Sequence, residues 1–378
     1  MKRILYVRVK SSYKNGGVIS QNEMSKHLTE CDDDNLYFET TSAPNFLRNL
    51  FNLKPTVRNH FFILSVTNSL TIKNKIKIAL NRNIFKKAAR YVDRISVSKI
   101  VLDCNLPDFV KILKEHPNSK ILMSVVRSSP HCFSWTNHPE RALGFRKQLN
   151  LVDCIICSSI EVADMWQEYL SIEKPLIKLT NPFETIKKNA NNLDSYLEDD
   201  SLNLFVVVGS LGPRKGLNLI IRALEKVNLP LNMSIVLHVF GTISDWKPKF
   251  ESLSNNNQIK VVLHGFQNLN MSVKPLKKCL FLFSSFSEVA SRAPKDAIRM
   301  QVPLLINRYS MDGDLRYLIK TESIFSNHIE LSQKIELLLS DFEGQKSNFV
   351  AHSKEEDYSE YNLANYIEGI NKIKAFNL

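Results

Sequence analysis

Two short segments carry residue types whose spacing can do chemistry on a phosphorylated ligand. The first is Val206-Val207-Val208-Gly209-Ser210-Leu211-Gly212-Pro213-Arg214-Lys215-Gly216, an apolar run that passes into a glycine-rich turn with two adjacent cations. An amphipathic helix pattern follows. A buried strand, a turn with freed N–H groups and a helix N-terminus beside a lysine can together seat a diphosphate. This is not the G-x-x-x-x-G-K-[ST] phosphate loop, because Gly216 stands where Ser or Thr is required. Alone, the segment is explained as well by a surface Arg-Lys pair opening a helix. The second segment begins Ser284-Ser285-Phe286-Ser287-Glu288, continues to Asp296 and ends Gln301-Val302-Pro303. The spacing from Glu288 to Asp296 is about 2.2 helical turns, which predicts that both acids face the end of the preceding strand. Standing alone, it reads as helix N-terminal acids and a surface aspartate.

Elements to position these residues are visible along the whole chain. Apolar runs at 3–9, 60–66, 99–104, 120–126, 153–159 and 175–180 predict strands in the first half. Runs at 203–209, 234–241, 260–265, 279–285 and 302–307 do so in the second. The runs are continuous rather than alternating, the habit of strands buried on both faces of a parallel sheet. Helical spacing links Leu217, Ile220, Ile221 and Leu224; Leu331, Ile335, Leu338 and Phe342; and Leu363, Ile367 and Ile370. Strand–helix alternation in two sets predicts two doubly wound α/β domains, 1–182 and 202–345, with a polar linker at 183–201. The last stretch, 346–378, is expected to leave the second domain and pack its helix across the first. Ligands of such sheets sit outside the carboxyl ends of the strands, so a cleft between the domains is the expected site.

Composition narrows the function classes. The chain has 378 residues, 44% of them hydrophobic, which excludes collagen-like, disulfide-scaffold and wholly disordered classes. It has no apolar run long enough to span a bilayer, and the N-terminal stretch reads as a strand rather than a signal, so a cytoplasmic location is expected. The six cysteines are expected to be reduced, and Cys154-Ile-Ile-Cys157 to be part of a buried strand, not a metal or redox pair. The net charge of +12 is uneven: residues 1–182 hold 27 Lys/Arg against 16 Asp/Glu, and residues 183–378 hold 23 against 22. Segment 71–94 is the densest part, with Leu80, Ile84, Phe85, Ala88 and Val92 as an apolar stripe beneath its cations. A basic amphipathic helix suits peripheral contact with an anionic membrane. A solvated helix packing its stripe into its own core, or contact with an acidic glycan, explains the same charge.

In their order and spacing, GSLGPRKG (209–216) and EVASRAPKDAIRMQVPL (288–304) resemble the GT-B retaining glycosyltransferases of family 4. The corresponding family patterns are G-R-L-x-x-x-K-G and E-G-x-x-R-x-x-x-E-A-M-x-x-G-x-P-V. VFG (239–241), HGF (264–266), Gly16-Gly17 and NPF (181–183) also match landmarks of that family. The resemblance implies the GT-B architecture: two Rossmann-like domains facing across a cleft, with the C-terminal helix packing back on the N-domain. It implies catalytic roles for Lys215 on the donor diphosphate, Glu288 near the donor sugar, and His131 or Arg127 beside sugar and acceptor. It implies donor binding by Gly16, Gly17, Gly209, Ser210, Arg214, Lys215, Gly241, Ala290, Ser291, Arg292 and Asp296, the last on the ribose. Ser210 departs from the family's Arg, Asp296 from its second Glu, Val289 from the Gly after the first acid, and Gln301 from a further Gly.

The implied activity is transfer of a sugar, with retention, from a UDP-linked nucleotide sugar to a glycan or lipid-linked acceptor in bacterial surface polysaccharide or lipopolysaccharide assembly. The nucleotide sugar is a co-substrate; no cofactor is expected. No metal is expected either: Asp32-Asp33-Asp34 and Asp312-Gly313-Asp314 lack the strand context of a metal-binding D-x-D. The alternatives are a catalytically weak homologue that acts by binding, a nucleotide-sugar epimerase, and a nucleic-acid-binding protein. No nucleic-acid module is recognisable, so no nucleic-acid partner is expected.

Overall fold

The computed structural model describes residues 3–10, 21, 24, 27–28, 36–42, 61–66, 85–86, 88–90, 92–94, 97–116, 120–127, 130, 139–171, 173–179, 191–207, 213–241, 246–265, 269–270, 277–286, 292–310, 318–351 and 363–377. The chain forms two compact units. Unit 1 comprises Met1–Phe133, His138–Leu179 and Tyr366–Leu378, and unit 2 is made chiefly of Thr180–Asn365.

Among the described residues, unit 1 is built on seven strands: β1 (Arg3–Lys10), β2 (Leu36–Ser42), β3 (Phe61–Val66), β4 (Val97–Asp103), β5 (Ile121–Val126), β6 (Cys154–Cys157) and β7 (Leu176–Lys178). All pairings are parallel, in the order β3-β2-β1-β4-β5-β6-β7. Helices α1 (Pro107–Lys114), α2 (Pro139–Leu151) and α3 (Ile160–Leu170) connect the later strands. Tyr6, Val101, Met123 and Ile156 are buried in one core while their chain neighbours Leu5, Ile100, Leu122 and Ile155 are buried too. Burial of successive residues is why these strands read as unbroken apolar runs.

Unit 2 holds β8 (Asn191–Asn192), β9 (Ser201–Val207), β10 (Ser234–Phe240), β11 (Ile259–Gly265), β12 (Leu269–Asn270), β13 (Cys279–Phe283), β14 (Leu304–Asn307) and β15 (Ile324–Phe325). Its main sheet is parallel, in the order β11-β10-β9-β13-β14-β15. The helices are α4 (Leu217–Leu224), α5 (Lys247–Leu253), α6 (Arg292–Arg299), α7 (His328–Ser340) and α8 (Phe342–Phe349). The sheet sorts its residues by parity. Leu204, Val206, Leu237, Val239 and Leu282 pack with α4 and α7 residues, and Phe205, Phe240, Phe281 and Phe283 pack with α6 residues. In the central strands β9, β10 and β13 the residues of the first core are aliphatic and those of the second mainly phenylalanine, and the two-residue period of a strand keeps the two sets on opposite faces.

The last helix, α9 (Leu363–Ala375), joins the core of unit 1, where Tyr366, Ile370 and Ile373 are buried beside Tyr6, Ile177 and Leu179. Its inner stripe differs from the expected one: Leu363 and Ile367 are exposed, because the face through Tyr366, Ile370 and Ile373 meets the sheet. Unit 2 also extends past its expected limits. Within the stretch read as a linker, Leu197 is buried in the core that holds Phe205 and Phe281, and beyond residue 345 Phe349 and Ala351 are buried as well. Each strand candidate contains a strand. The unforeseen β2 has a polar second half, and β8, β12 and β15 are only two residues long.

Candidate functional site

Both sheets carry the 3-2-1-4 strand order of doubly wound folds. The order reverses between β1 and β4 in unit 1 and between β9 and β13 in unit 2. At such a switch point the connections leave in opposite directions and open a crevice at the carboxyl ends, the general ligand position of this class.

In unit 2 the crevice is closed at its base by the two segments singled out in the sequence. Pro213–Lys215 form a 3-10 turn, and Gly216, at φ 61, is the N-cap of α4. Leu217, Ile220, Ile221 and Leu224 form the buried stripe that holds this helix on the sheet. Across the crevice, β13 ends in the turn Ser284–Phe286. The Phe286 N–H donates to the Arg214 carbonyl at 2.7 Å, and the Ser284 hydroxyl donates to the Lys215 carbonyl at 2.8 Å. A Cβ on Gly216 would lie 2.0 Å from the Ser284 carbonyl oxygen. Glycine is therefore required twice over, for the left-handed backbone and for the close approach.

The same turn is held from β14. The buried Asn307 amide donates to the Ser284 carbonyl at 3.1 Å, and the Ser310 hydroxyl donates to the Ser285 carbonyl. Lys215, Leu217, Ser284, Ser285, Ala293, Pro294 and Ser310 are among the residues around a depression partly open to solvent. A lysine and a helix N-terminus beside one depression can hold an anion such as a diphosphate.

α6 is described from Arg292, so the argument from helical turns covers only part of the eight-residue spacing. Asp296 is mostly buried on this helix, 3.6 Å from the Arg299 guanidinium. Gln301, at the end of the segment, has φ 55 and donates through its amide to the Ile298 carbonyl at 3.0 Å. Its left-handed backbone accounts physically for the glycine in the pattern this segment resembles. On the other flank, Gly241 has φ 122 and donates to the Gly265 carbonyl at 2.6 Å, joining the ends of β10 and β11.

In unit 1 the switch point holds a hydrogen-bonded network around Arg127 and Asp103. The Arg127 Nε lies 2.8 and 3.1 Å from the two Asp103 carboxylate oxygens, and a terminal guanidinium nitrogen bonds the same carboxylate. Tyr6 donates to that carboxylate at 2.6 Å, and the Gln21 amide donates to it at 3.3 Å. Burial opposes the charge on Arg127. The attraction and hydrogen bonds of Asp103, with the Tyr6 and Tyr366 hydroxyls, outweigh it and hold the pKa above its ordinary value. Arg127 thus sits at the carboxyl ends of β4 and β5, engaged by a carboxylate. Nothing marked Asp103 in advance: it is a single acid at the end of an apolar run.

Gly16, Gly17, His131, Gly209, Ser210, Glu288, Ala290 and Ser291 lie outside the described residues, as do both aspartate clusters and the side chain of Arg292. Among the described residues no cluster of metal-ligating side chains occurs, and no helix is long and apolar enough to cross a membrane. Cys154 and Cys157 form no disulfide and are buried on β6; burial pushes the Cys154 thiol up to about 12. In segment 71–94, Phe85, Ala88 and Val92 are buried, with the Phe85 ring 5.3 Å from that of Phe109, while Lys86, Arg90 and Arg94 face solvent. That part of the apolar stripe is covered by the protein's own core, so it is not presented to a lipid surface.

Residues 189–355 match the family model described as glycosyl transferases group 1. No curated protein sequence matches. Among solved structures, the sucrose-phosphate synthase of Thermosynechococcus elongatus is similar at a TM-score of 0.70 and 13% identity, over 99% of this chain and 98% of that one. Anabaena HepE in complex with UDP and glucose matches at 0.62 and 12%, over 99% and 100%. The lipopolysaccharide outer core galactosyltransferase WaaB matches at 0.63 and 13%, over 99% of each chain. The chain therefore has the GT-B glycosyltransferase fold, and the stretch that carries the crevice of unit 2 is similar to group 1 glycosyl transferases.

Proposed function

We propose that the protein is a retaining glycosyltransferase of the family 4 type. It moves a sugar from a UDP-linked donor to a glycan or lipid-linked acceptor in surface polysaccharide assembly. The observation that carries this reading is the locking of the Arg214–Gly216 turn to the Ser284–Phe286 turn at the switch point of unit 2. It brings a lysine, a helix N-terminus and the start of the acidic segment to one place, inside the stretch that matches the family model.

In this reading the diphosphate lies across that crevice. The bond from the anomeric carbon to the diphosphate breaks, a bond to an acceptor hydroxyl oxygen forms on the same face, and the hydroxyl's proton passes to the departing diphosphate. Negative charge grows on the leaving diphosphate, and Lys215 and the N–H groups opening α4 stabilise it in place. Catalysis is then electrostatic and positional rather than nucleophilic. Ser210 supplies no cation where the resembled pattern has one, so Lys215 and Arg214 carry that role, with Glu288 at the donor sugar. Because these groups supply the positive charge, the transfer needs no metal, and turnover is expected to persist in a chelator. The choice of UDP and of a surface glycan is supported by the bound UDP of the Anabaena protein and the lipopolysaccharide role of WaaB.

Peripheral contact with the inner face of the plasma membrane belongs to the same reading. Lys86, Arg90 and Arg94, spaced four apart on a helical stretch, present one cationic ridge. With the apolar stripe covered, that contact is electrostatic and salt-sensitive.

The test is product analysis by NMR after incubation with α-linked UDP-sugars and lipid-linked oligosaccharide acceptors. An α-configured product is expected; a β-configured product removes the retaining mechanism, and no transfer from any donor removes the activity.

A further inference from the structure

The aromatic pair Phe286 and Tyr309 adjoins Ser285 and Ser310, which line the Lys215 depression, and nothing in the reading above uses it. Their ring centroids are 6.4 Å apart at an interplanar angle of 44°, and the Arg308 guanidinium lies 5.7 Å from the Tyr309 ring centroid. Tyr309 is 53% exposed. It follows the carboxyl end of β14, the end of the sheet at which ligands of this fold class sit.

Its backbone is held firmly. The Tyr309 N–H donates to the Asn307 side-chain oxygen at 3.2 Å, and the Asn307 amide donates to the Ser284 carbonyl at 3.1 Å. On the other side, Ser310 bonds the Ser285 carbonyl. The turn that fixes Lys215 and Gly216 is therefore tied to the Tyr309 backbone, which holds the two in one set geometry.

A nucleoside diphosphate sugar has two substituents, one at each end of its diphosphate. The strand order β11-β10-β9-β13-β14 gives the phosphate turn two flanks. The β10–β11 flank ends in Gly241 and Gly265, and a Cβ on Gly265 would meet nothing within 4 Å. Open glycine backbone suits a flat base, whose edge carries the hydrogen-bonding groups. The β14 flank ends in Arg308 and Tyr309. A ring face beside a guanidinium and a serine suits a pyranose, which is apolar across one face and rimmed by hydroxyls.

Resting on the nucleotide-sugar reading of unit 2, we propose that Tyr309, backed by Phe286 and Arg308, is a specificity-determining wall for the donor's sugar ring. The wall contributes to binding of the sugar and not of the nucleotide.

The experiment is calorimetric binding of UDP, UDP-glucose, UDP-galactose and UDP-N-acetylglucosamine to wild type, Tyr309→Ala and Tyr309→Phe. For the sugar that wild type prefers, Tyr309→Ala is expected to weaken binding about five- to tenfold, the scale of one aromatic contact. UDP itself changes less than about twofold, because no contact to the nucleotide is removed. Tyr309→Phe retains the ring and stays near wild type, which separates loss of the wall from loss of folding. Equal losses for UDP and the UDP-sugar would assign the ring to the nucleoside and overturn the proposal. Unchanged binding of both, or a wild type that binds UDP-sugars no better than UDP, overturns it as well. If wild type binds neither UDP nor any UDP-sugar, the nucleotide-sugar reading itself fails and takes the wall with it.

Discussion

Gly216 and the Ser284 carbonyl oxygen approach so closely that a Cβ on the glycine would lie 2.0 Å away. One contact joins residues far apart in sequence across the switch point of unit 2. It places the lysine turn and the start of the acidic segment on opposite walls of one crevice.

Gly216→Ala is therefore expected to destabilise unit 2 by about 2–4 kcal/mol, the sum of a left-handed backbone and a clash with main chain that cannot rotate away. Urea unfolding measures it. A loss under about 0.5 kcal/mol would mean that the two turns separate easily.

Gln301 tests the backbone of the second segment. Left-handed geometry costs an L-residue about 1–2 kcal/mol, while a glycine there adds about 0.4–1 kcal/mol of unfolded-chain entropy and loses the side-chain bond to Ile298. These terms nearly cancel, so Gln301→Gly is expected within about 0.5 kcal/mol of wild type. Gln301→Val, branched at a positive φ, loses more than about 1 kcal/mol. Thermal unfolding of the two variants orders them, and the reverse order contradicts the assigned conformation.

In unit 1, Asp103→Asn leaves the largely buried Arg127 guanidinium without its carboxylate. With the Arg127 side chain 23% exposed, the expected loss is about 2–4 kcal/mol, below that of a fully buried pair. Adding Arg127→Met removes the stranded charge and recovers part of that loss. A double-mutant cycle reads the coupling, and a coupling near zero would remove the pair from the account.

His238 makes the stability of unit 2 sensitive to acid. The Asn203 amide nitrogen donates to three carbonyls, so its oxygen faces His238 Nε2 as acceptor. His238 Nε2 must then carry the proton, and His238 Nδ1 accepts from His264 Nε2 at 3.0 Å. Burial, and then the neighbouring His264, lower the His238 pKa to about 4, against a weaker opposing pull from Glu198; burial lowers that of His264 too. The unfolded chain takes up protons first, so stability is full above about pH 6.5, falls through the window down to about 4, and then levels. For His238 the loss is on the order of 3 kcal/mol. Urea midpoints across that window measure it, and His238→Phe, stacked on Phe205 as the imidazole is, flattens the profile. A wild-type midpoint independent of pH between 6.5 and 4 would contradict the neutral pair.

Much of this fold was legible in the residues alone, for a physical reason. Strands such as KIVLDC and NLFVVVG are apolar on both faces because helices cover both sides of a parallel sheet, so their runs stand out without any period. LYFETTS was missed because its polar second half breaks the run. The two segments of unit 2 stood out by residue type and spacing, but the hydrogen bonds from Ser284 and Phe286 to the Arg214–Lys215 turn depend on strand order, which local pattern does not carry. Asp103 was invisible for the same reason: its partners Tyr6, Gln21 and Arg127 come from three separate stretches. The inner face of α9 was misread because Leu363 and Ile367 follow a helical period as well as Tyr366 and Ile370 do, and only the sheet decides between them.

The central claim is that the Lys215–Ser284 crevice binds the diphosphate of a nucleotide sugar. Calorimetric titration of wild type and Lys215→Ala with UDP, GDP, ADP and CMP tests it most directly. The account predicts selective binding of UDP, weakened at least about tenfold by the substitution, or about 1.4 kcal/mol, within the range of one charge-assisted contact. Absence of binding by any of the four, or UDP binding indifferent to loss of the Lys215 side chain, would contradict it.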